Sequence, residues 1–122
     1  MKQGESAPHL SQGRWAERKA LHYLRKQGMR HLLSNYRCRF GELDLIMEDG
    51  DCLVFVEVRY RRSTRFGGAI ATIDAKKQAR LKTTAEHYRQ TRDWAARRPC
   101  RFDVIGIEDA KGETLHWIKN AF

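Results

Sequence analysis

Two carboxylates enclosed by apolar residues are the side chains of this sequence best suited to chemistry. Asp44 lies between two leucines, and Glu57 lies between two valines. Burial of a lone carboxylate is costly, so each group needs a cation or a strong hydrogen-bond partner. Leu43–Met47 and Leu53–Val58 have the length and composition of strands, and the Asp-Gly pair at residues 49 and 50 predicts a hairpin between them.

The register of this hairpin decides which carboxylates face each other. A turn centred between residues 50 and 51 places Asp44 opposite Glu57, whereas a turn centred between residues 49 and 50 places Glu42 there. In both registers one face of the hairpin carries Glu42, Asp44, Glu57 and Arg59, because strand side chains alternate.

Opposed residues of a hairpin are close enough for their charges to interact strongly. Their Cβ atoms lie about 4.5–5.5 Å apart. Two carboxylates at that distance repel each other unless a divalent cation lies between them, and carboxylate oxygens suit Mg²⁺ or Mn²⁺. The alternative is a pair of edge carboxylates that neighbouring Lys or Arg side chains neutralise.

A third acidic residue, Glu17, belongs to a predicted helix. It follows the spacing i, i+3, i+4, i+7 together with Ala20, Leu21 and Leu24. Glu17 therefore shares the apolar, inward-facing stripe of that helix. A third metal ligand, direct or through water, explains an acid on that stripe. The alternative is a rim position paired with Arg14 or Arg18.

The charge balance of the chain favours a polyanionic partner. Lys and Arg number 24 and Asp and Glu number 15, which gives a net charge of +9 at pH 7. Basic residues surround Tyr60 and Phe66 and continue into the next helix, a pattern suited to phosphate contact and base stacking. The residues predicted to bind nucleic acid are Arg61, Arg62, Arg65, Lys76 and Arg80. The alternative is ordinary solvation of a loop and a helix face.

Helix and strand signals predict the order α-β-β-β-α-β-β. A first helix begins near Ser11 and ends before Gly28. Part of residues 29–39 is a strand, and after the hairpin comes a polar loop over residues 60–70. A second helix runs from about residue 74 to 90, with a short helical turn over residues 92–97, and Phe102–Ile107 and Leu115–Ile118 are strands. The natural α/β architecture is a mixed β-sheet flanked by helices.

Length and composition predict one domain. The chain has 122 residues, enough for one core without disulfides. Residues 1–10 are predicted to be a disordered tail and residues 11–122 a single domain. No apolar run approaches the roughly 18 residues of a membrane span, and no signal peptide is evident at the N-terminus. A cytoplasmic protein without a membrane partner is therefore expected.

Four segments of the sequence carry a family resemblance. Gly41–Ile46, Leu53–Arg59, Arg101–Val104 and Trp117–Phe122 resemble the YraN-like family of uncharacterised bacterial proteins, and the resemblance covers nearly the whole chain from about Gly13. It implies the fold of restriction endonucleases and archaeal Holliday junction resolvases, the PD-(D/E)xK superfamily.

The resemblance also implies roles for the acidic residues. Asp44 corresponds to the Asp of the superfamily motif, Glu57 to its (D/E) position, and Glu17 to the acid in the first helix of the resolvases. Because resolvases of this fold work as dimers, the resemblance leaves a homodimer open.

The sequence departs from the superfamily pattern at Arg59, which stands where the motif has Lys. A Lys can lie beside the attacking water and shift its pKa, whereas Arg is effectively always charged. Arg59 could still stabilise the charge of the transition state. Lys77 on the second helix could supply an ammonium group, as happens in some relatives.

The leading functional hypothesis is a metal-dependent phosphodiesterase that acts on DNA. Asp44 and Glu57 would hold Mg²⁺ or Mn²⁺, which would activate water and neutralise the departing oxygen. Glu17 would assist the metal, and Arg59 or Lys77 would stabilise charge. Two alternatives are a nucleic-acid-binding protein that keeps the scaffold without cleaving, which Arg59 favours, and a basic protein-interaction module.

Overall fold

Helices cover both faces of a five-stranded mixed sheet. The computed structural model describes residues 8–61, 73–109 and 111–122, with side chains from residue 12 onward. The elements are α1 Pro8–Lys26, β1 Arg30–Cys38, β2 Gly41–Asp49, β3 Cys52–Tyr60, α2 Ala75–Gln90, α3 Asp93–Ala96, β4 Cys100–Ile107 and β5 Leu115–Ile118. This order confirms the predicted α-β-β-β-α-β-β arrangement, and α3 is the predicted short helical turn.

The strands lie in the sheet in the order β1-β2-β3-β4-β5. All neighbours are antiparallel except β3 and β4, which are parallel. A parallel pair needs a crossover connection, and α2 lies in that connection. Since β2 and β3 are interior strands, the interpretation of Asp44 and Glu57 as edge carboxylates is wrong.

Two apolar cores lie on opposite faces of the sheet. One core packs α1 against alternate strand residues, and its fully buried members include Ala20, Leu24, Val54 and Val56. The other core packs α2, through Leu81 and Tyr88, against the intervening strand residues, among them Leu53 and Phe55. A strand buried on both faces needs a continuous apolar run, which explains the composition of β3.

Helix α1 begins earlier than the sequence predicted. Its first residue is Pro8, not a residue near Ser11, so residues 8–10 of the predicted tail are helical. Pro is well tolerated in the first turn, where the missing N–H has no partner within the helix. Residues 1–7 of the predicted tail lie outside the described residues, as do residues 62–70 of the predicted loop.

The start of α2 agrees with the sequence prediction. Asp74 is the N-cap, and its carboxylate accepts a hydrogen bond from the Lys77 backbone N–H at 2.8 Å. This cap fixes the first turn of α2, which carries Lys76 and Lys77. In the described part of the chain, no helix combines the length and apolar character that a membrane span requires.

Candidate metal and nucleic-acid site

The β2–β3 hairpin places Asp44 and Glu57 on facing strands. Strand pairing is continuous from the two-residue turn at positions 50 and 51 to the pair Leu45 and Val56, so Asp44 comes opposite Glu57 one step further along. The protein therefore has the register centred between residues 50 and 51. The alternative register, with Glu42 opposite Glu57, is wrong.

A backbone amide fixes the Asp44 side chain between the two strands. The N–H of Val58 on β3 donates to Asp44 Oδ2 at 2.9 Å. A charge-assisted bond of this kind favours the ionised carboxylate and limits its rotation. Asp44 is thus held across the hairpin towards β3.

Two cations lie against the Glu57 carboxylate, which is itself only 6% exposed. Glu57 Oε2 is 3.1 Å from Arg59 Nη2 and 3.7 Å from Lys77 Nζ. Arg59 comes from the same strand two residues on, and Lys77 comes from the first turn of α2. The structure therefore brings together Asp44, Glu57, Arg59 and Lys77 from three elements.

Despite these cations, the pKa values of both carboxyl groups are raised, so their ionisation is unfavourable. Burial raises the pKa of Glu57 to about 7, and the nearby charge of Asp44 adds to the rise, while Arg59 and Lys77 oppose it. Burial likewise raises the pKa of Asp44, against the Val58 amide. The two carboxyl groups face each other across the hairpin, and each influences the pKa of the other. At neutral pH the pair therefore has room for one proton, or for a cation in its place.

Glu17 lies near this pair but is held by a different residue. The Asn35 side-chain amide donates to Glu17 Oε1 at 3.1 Å and to Glu42 Oε2 at 3.4 Å. Burial raises the pKa of Glu17, and the charges of Asp44 and Glu42 add to that rise. The charge of Asp44 therefore acts on Glu17, but the Glu17 carboxylate is bound to Asn35 and is not directed to the same ligand as Asp44.

Asn35 is a candidate functional residue that the sequence reasoning missed. The β1–β2 register pairs its neighbours Ser34 and Tyr36 with Leu45 and Leu43, so Asn35 lies opposite Asp44. Its φ is +54°, a left-handed conformation that Asn tolerates better than most residues and that often occurs at functional sites. An Asn within a strand-like segment was the available signal.

The donor set suits a magnesium-like cation. In the described ranges, no three His, Cys, Asp or Glu residues are grouped so that they could hold a metal ion together. Mg²⁺ commonly binds one or two carboxylates and completes its octahedron with water and substrate phosphates. Asp44 and Glu57 therefore fit such an ion, and a role of Glu17 through water fits its position better than direct ligation.

A cleft opens beside Glu17 on the α1 face of the sheet. Its volume is about 330 Å³, and it is lined by Arg14, Glu17, Arg18, Leu21, Ser34, Asn35 and Leu45. Arg14 also lowers the pKa of Glu17, although less than the other influences raise it. Arg14 is therefore the arginine of α1 whose charge acts on Glu17, but among the described residues Glu17 forms no ion pair with Arg14 or Arg18.

Three of the residues predicted to bind nucleic acid are described, one directly after β3 and two on α2. Arg61 is exposed directly after β3, and its backbone N–H donates to the Ile107 carbonyl at 2.8 Å. Lys76 and Arg80 are exposed on α2 at the spacing i, i+4, so they project from one face of that helix. Arg62 and Arg65 lie outside the described residues, so their part in binding stays a prediction.

Comparison with known proteins assigns the chain to a family. Residues 16–107 match the model described as Uncharacterised protein family UPF0102. A UPF0102 protein of Nitrosococcus oceani is 52% identical over 117 residues, which are 95% of this chain and 94% of that protein. One from Psychromonas ingrahamii is 53% identical over 112 residues, 92% of this chain and 89% of that protein. The chain therefore belongs to the UPF0102 family, as the resemblance to YraN-like bacterial proteins implied.

Proposed function

We propose that this protein binds nucleic acid and hydrolyses phosphodiester bonds of DNA with the help of Mg²⁺ or Mn²⁺. The observation that carries this proposal is the placement of Asp44 opposite Glu57 on interior strands, with Lys77 Nζ 3.7 Å from Glu57 Oε2. A buried and a half-buried carboxylate that oppose each other beside an amine supply the oxygen ligands and the positive charge that metal-dependent phosphodiesterases use. The resemblance to the PD-(D/E)xK superfamily supports the same assignment.

Each residue of the site has a distinct task in this proposal. Asp44 and Glu57 supply oxygen ligands, and the Val58 amide keeps Asp44 in one orientation. A divalent cation, when bound, would supply an activated water and neutralise charge on the phosphate. Arg59 and Lys77 lie beside Glu57, where their charges would stabilise negative charge that develops on a phosphate oxygen.

A second candidate function is nucleic-acid binding without cleavage. Arg59 Nη2 lies 3.1 Å from Glu57 Oε2, so an internal cation already neutralises part of the charge that would attract a metal. The protein would then use the same basic surface for binding and would lack metal-dependent chemistry.

A cleavage assay on labelled DNA separates the two functions. The substrates are linear duplex, single-stranded and branched DNA, each with Mg²⁺, Mn²⁺ or EDTA. We expect metal-dependent cleavage by the wild type and its loss, by about 100-fold or more, in Asp44→Asn. Asp51→Asn is the matched control, because Asp51 is an exposed residue of the β2–β3 turn.

The outcomes of this assay are distinct. Metal-dependent cleavage that Asp51→Asn keeps and Asp44→Asn loses supports the phosphodiesterase. Binding of DNA without cleavage of any substrate supports the second candidate. In either case Asp44→Asn should bind DNA in EDTA at least as tightly as the wild type, because it removes a negative charge. Absence of DNA binding by the wild type contradicts both candidates and favours a protein-interaction module.

A further inference from the structure

Five ring side chains form a continuous strip on the side of the molecule that α2 covers. The strip runs in contact order through Phe40, His87, Tyr36, Tyr88 and Trp94. Successive ring centroids lie 5.8, 6.1, 5.1 and 6.2 Å apart. These rings come from the β1–β2 turn, β1, α2 and α3, so only the folded chain brings them together.

The middle of the aromatic strip is packed into the protein and its two ends are exposed. Tyr88 is 2% exposed and packs in the core, and the Tyr36 hydroxyl is hydrogen-bonded to His87 Nδ1. Phe40 and Trp94 are 36% and 49% exposed, and they are the exposed large apolar side chains of the described ranges. Two rings are too little apolar area for an apolar protein interface, but each ring offers a surface for one flat ligand.

Three arginines lie over the rings of the strip. The Arg39 guanidinium carbon is 4.8 Å from the centroid of Phe40, that of Arg92 is 4.1 Å from Tyr88, and that of Arg98 is 5.8 Å from Trp94. Arg98 is paired with Glu48, whereas neither Arg39 nor Arg92 forms an ion pair with an acidic residue in the part of the chain that the structure describes. Their charge is therefore free to meet an anion beside the rings, and a guanidinium plane also stacks on bases.

Close packing of the β1–β2 turn against α2 fixes the position of Phe40. A Cβ on the next residue, Gly41, would lie 2.9 Å from Thr84 Oγ1, so the glycine lets the β1–β2 turn approach α2 directly. The Thr84 hydroxyl is itself held, because it donates to the Arg80 carbonyl at 2.8 Å. The exposed ring of Phe40 is thus presented by a well-packed turn.

The strip continues the basic face of α2. His87 lies at i+11 from Lys76, and this spacing returns to the same side of a helix, as does the i+4 position of Arg80. The distance along the helix from Lys76 to His87 is about 16 Å at 1.5 Å per residue. A polyanion that contacts Lys76 and Arg80 would therefore reach the rings at the other end of α2.

We infer that the aromatic strip with Arg39 and Arg92 binds the unpaired bases of a single-stranded nucleic acid, by stacking on Phe40 and Trp94. The ligand has to combine flat apolar faces with negative charge, which unpaired nucleotides do. Paired bases in a duplex have their faces covered by their neighbours, so a duplex cannot use these rings. The inference rests on the proposed nucleic-acid binding but not on cleavage.

Fluorescence anisotropy with three matched probes tests this inference. The probes are an oligothymidine of about 12 nucleotides, within a usual site size, an abasic strand of the same length, and a duplex. The test variant is the double substitution Phe40→Leu and Trp94→Leu, which keeps apolar bulk and removes the rings. Phe40→Tyr with Trp94→Phe is the control, because it keeps a ring at both positions.

We expect the wild type to bind oligothymidine more tightly than the abasic strand. The double leucine variant should bind oligothymidine roughly 5- to 100-fold more weakly, since each stacked base contributes substantially. Its affinity for the duplex should stay within about twofold, and the ring-keeping control should behave as the wild type. The slope of log affinity against log salt should not change, because no charge is removed.

Two results would overturn the inference. One is equal affinity of the wild type for oligothymidine and the abasic strand, and the other is unchanged oligothymidine affinity in the double leucine variant. Either result removes the exposed rings from the nucleic-acid site, while duplex binding by the same samples keeps the proposed function intact. A wild type that binds none of the three probes overturns the proposed function as well.

Discussion

Glu57 shows at the residue scale how a single carboxyl group can couple protonation, metal binding and stability. Its pKa is raised to about 7 because burial and Asp44 both disfavour its charge. Ionisation of Glu57 is therefore unfavourable in the folded protein, and a divalent cation that binds the pair would remove this penalty. In the proposed function, a metal that binds this pair would therefore displace a proton near neutral pH.

Glu57→Gln should stabilise the protein at pH 8 and leave it nearly unchanged at pH 4.5. A raised carboxyl pKa favours folding below the unfolded value of 4.5, and this contribution is lost as the pH rises through about 7. Gln has no charge to lose, so the variant should gain on the order of 3 kcal/mol at pH 8 relative to the wild type. Urea unfolding of both proteins across this pH range, without metal, measures the difference.

The opposite result at pH 8 would have a clear meaning. If Glu57→Gln were the less stable protein there, the contacts with Arg59 and Lys77 would outweigh burial and the charge of Asp44. Glu86→Gln is a suitable control, because Glu86 is an exposed carboxylate on α2 and its substitution should not depend on this pair.

The pairing of Asp44 with Glu57 could be predicted at the element scale because a hairpin is a local structure. The Asp-Gly turn signal and the two-residue alternation limited the register to two choices, and both choices grouped the same carboxylates. Their neighbour Lys77 could only be suggested through resemblance. Its distance from Glu57 depends on how α2 docks on the sheet, and no local pattern determines that docking.

The irregular backbone of β1 could not be predicted from the rules that apply to a hairpin. Alternation assumes a regular strand, whereas β1 has a register shift between His31 and Leu33 and a left-handed residue at Asn35. These irregularities turn the Asn35 amide towards Glu17 and Glu42. The aromatic strip escaped prediction for a related reason, because its rings are distant in sequence and belong to different elements.

Asn35→Gly should cost less stability than Asn35→Ala, although both remove the amide that binds Glu17. Gly adopts a φ near the observed +54° without penalty, whereas Ala is strained there by about 1 kcal/mol. Urea titration of the two variants, with equal m-values, gives this difference directly. Equal midpoints would show that β1 relaxes to a regular strand once the amide is gone.

At the scale of the whole molecule, the net charge is +9, but not every cation is available to bind a ligand. Some arginines serve the fold: Arg98 contacts Glu48 at 2.6 Å and the carbonyls of the β2–β3 turn, and Arg101 holds the fully buried Asp103. Trp117 and the backbone of Asn120 complete the environment of Asp103, so this carboxylate ties β4 to β5 and the C-terminal segment. Only the remaining cations are available to a polyanion.

The basic face of α2 should account for a measurable share of duplex binding. Lys76 and Arg80 are exposed on one face of this helix, and the same helix carries Lys77 to Glu57. Replacement of both residues by Ala should flatten the slope of log affinity against log salt by about 1.8 for duplex DNA, if each contacts one phosphate. Anisotropy titrations across a salt series measure this slope.

A matched variant separates this contact from the general effect of charge. Arg25 and Lys26 lie exposed in the last turn of α1, which packs on the opposite face of the sheet from α2. Their double replacement by Ala removes the same charge from the molecule, and the proposed binding face predicts that the salt slope then stays as in the wild type. If the salt slope flattened equally in the two variants, DNA affinity would depend on the net charge and not on the position of these residues. If the slope of the α2 variant stayed as in the wild type, Lys76 and Arg80 would not contact phosphates of the DNA. A nucleic acid would then not run along α2 from the carboxylate pair to the aromatic strip.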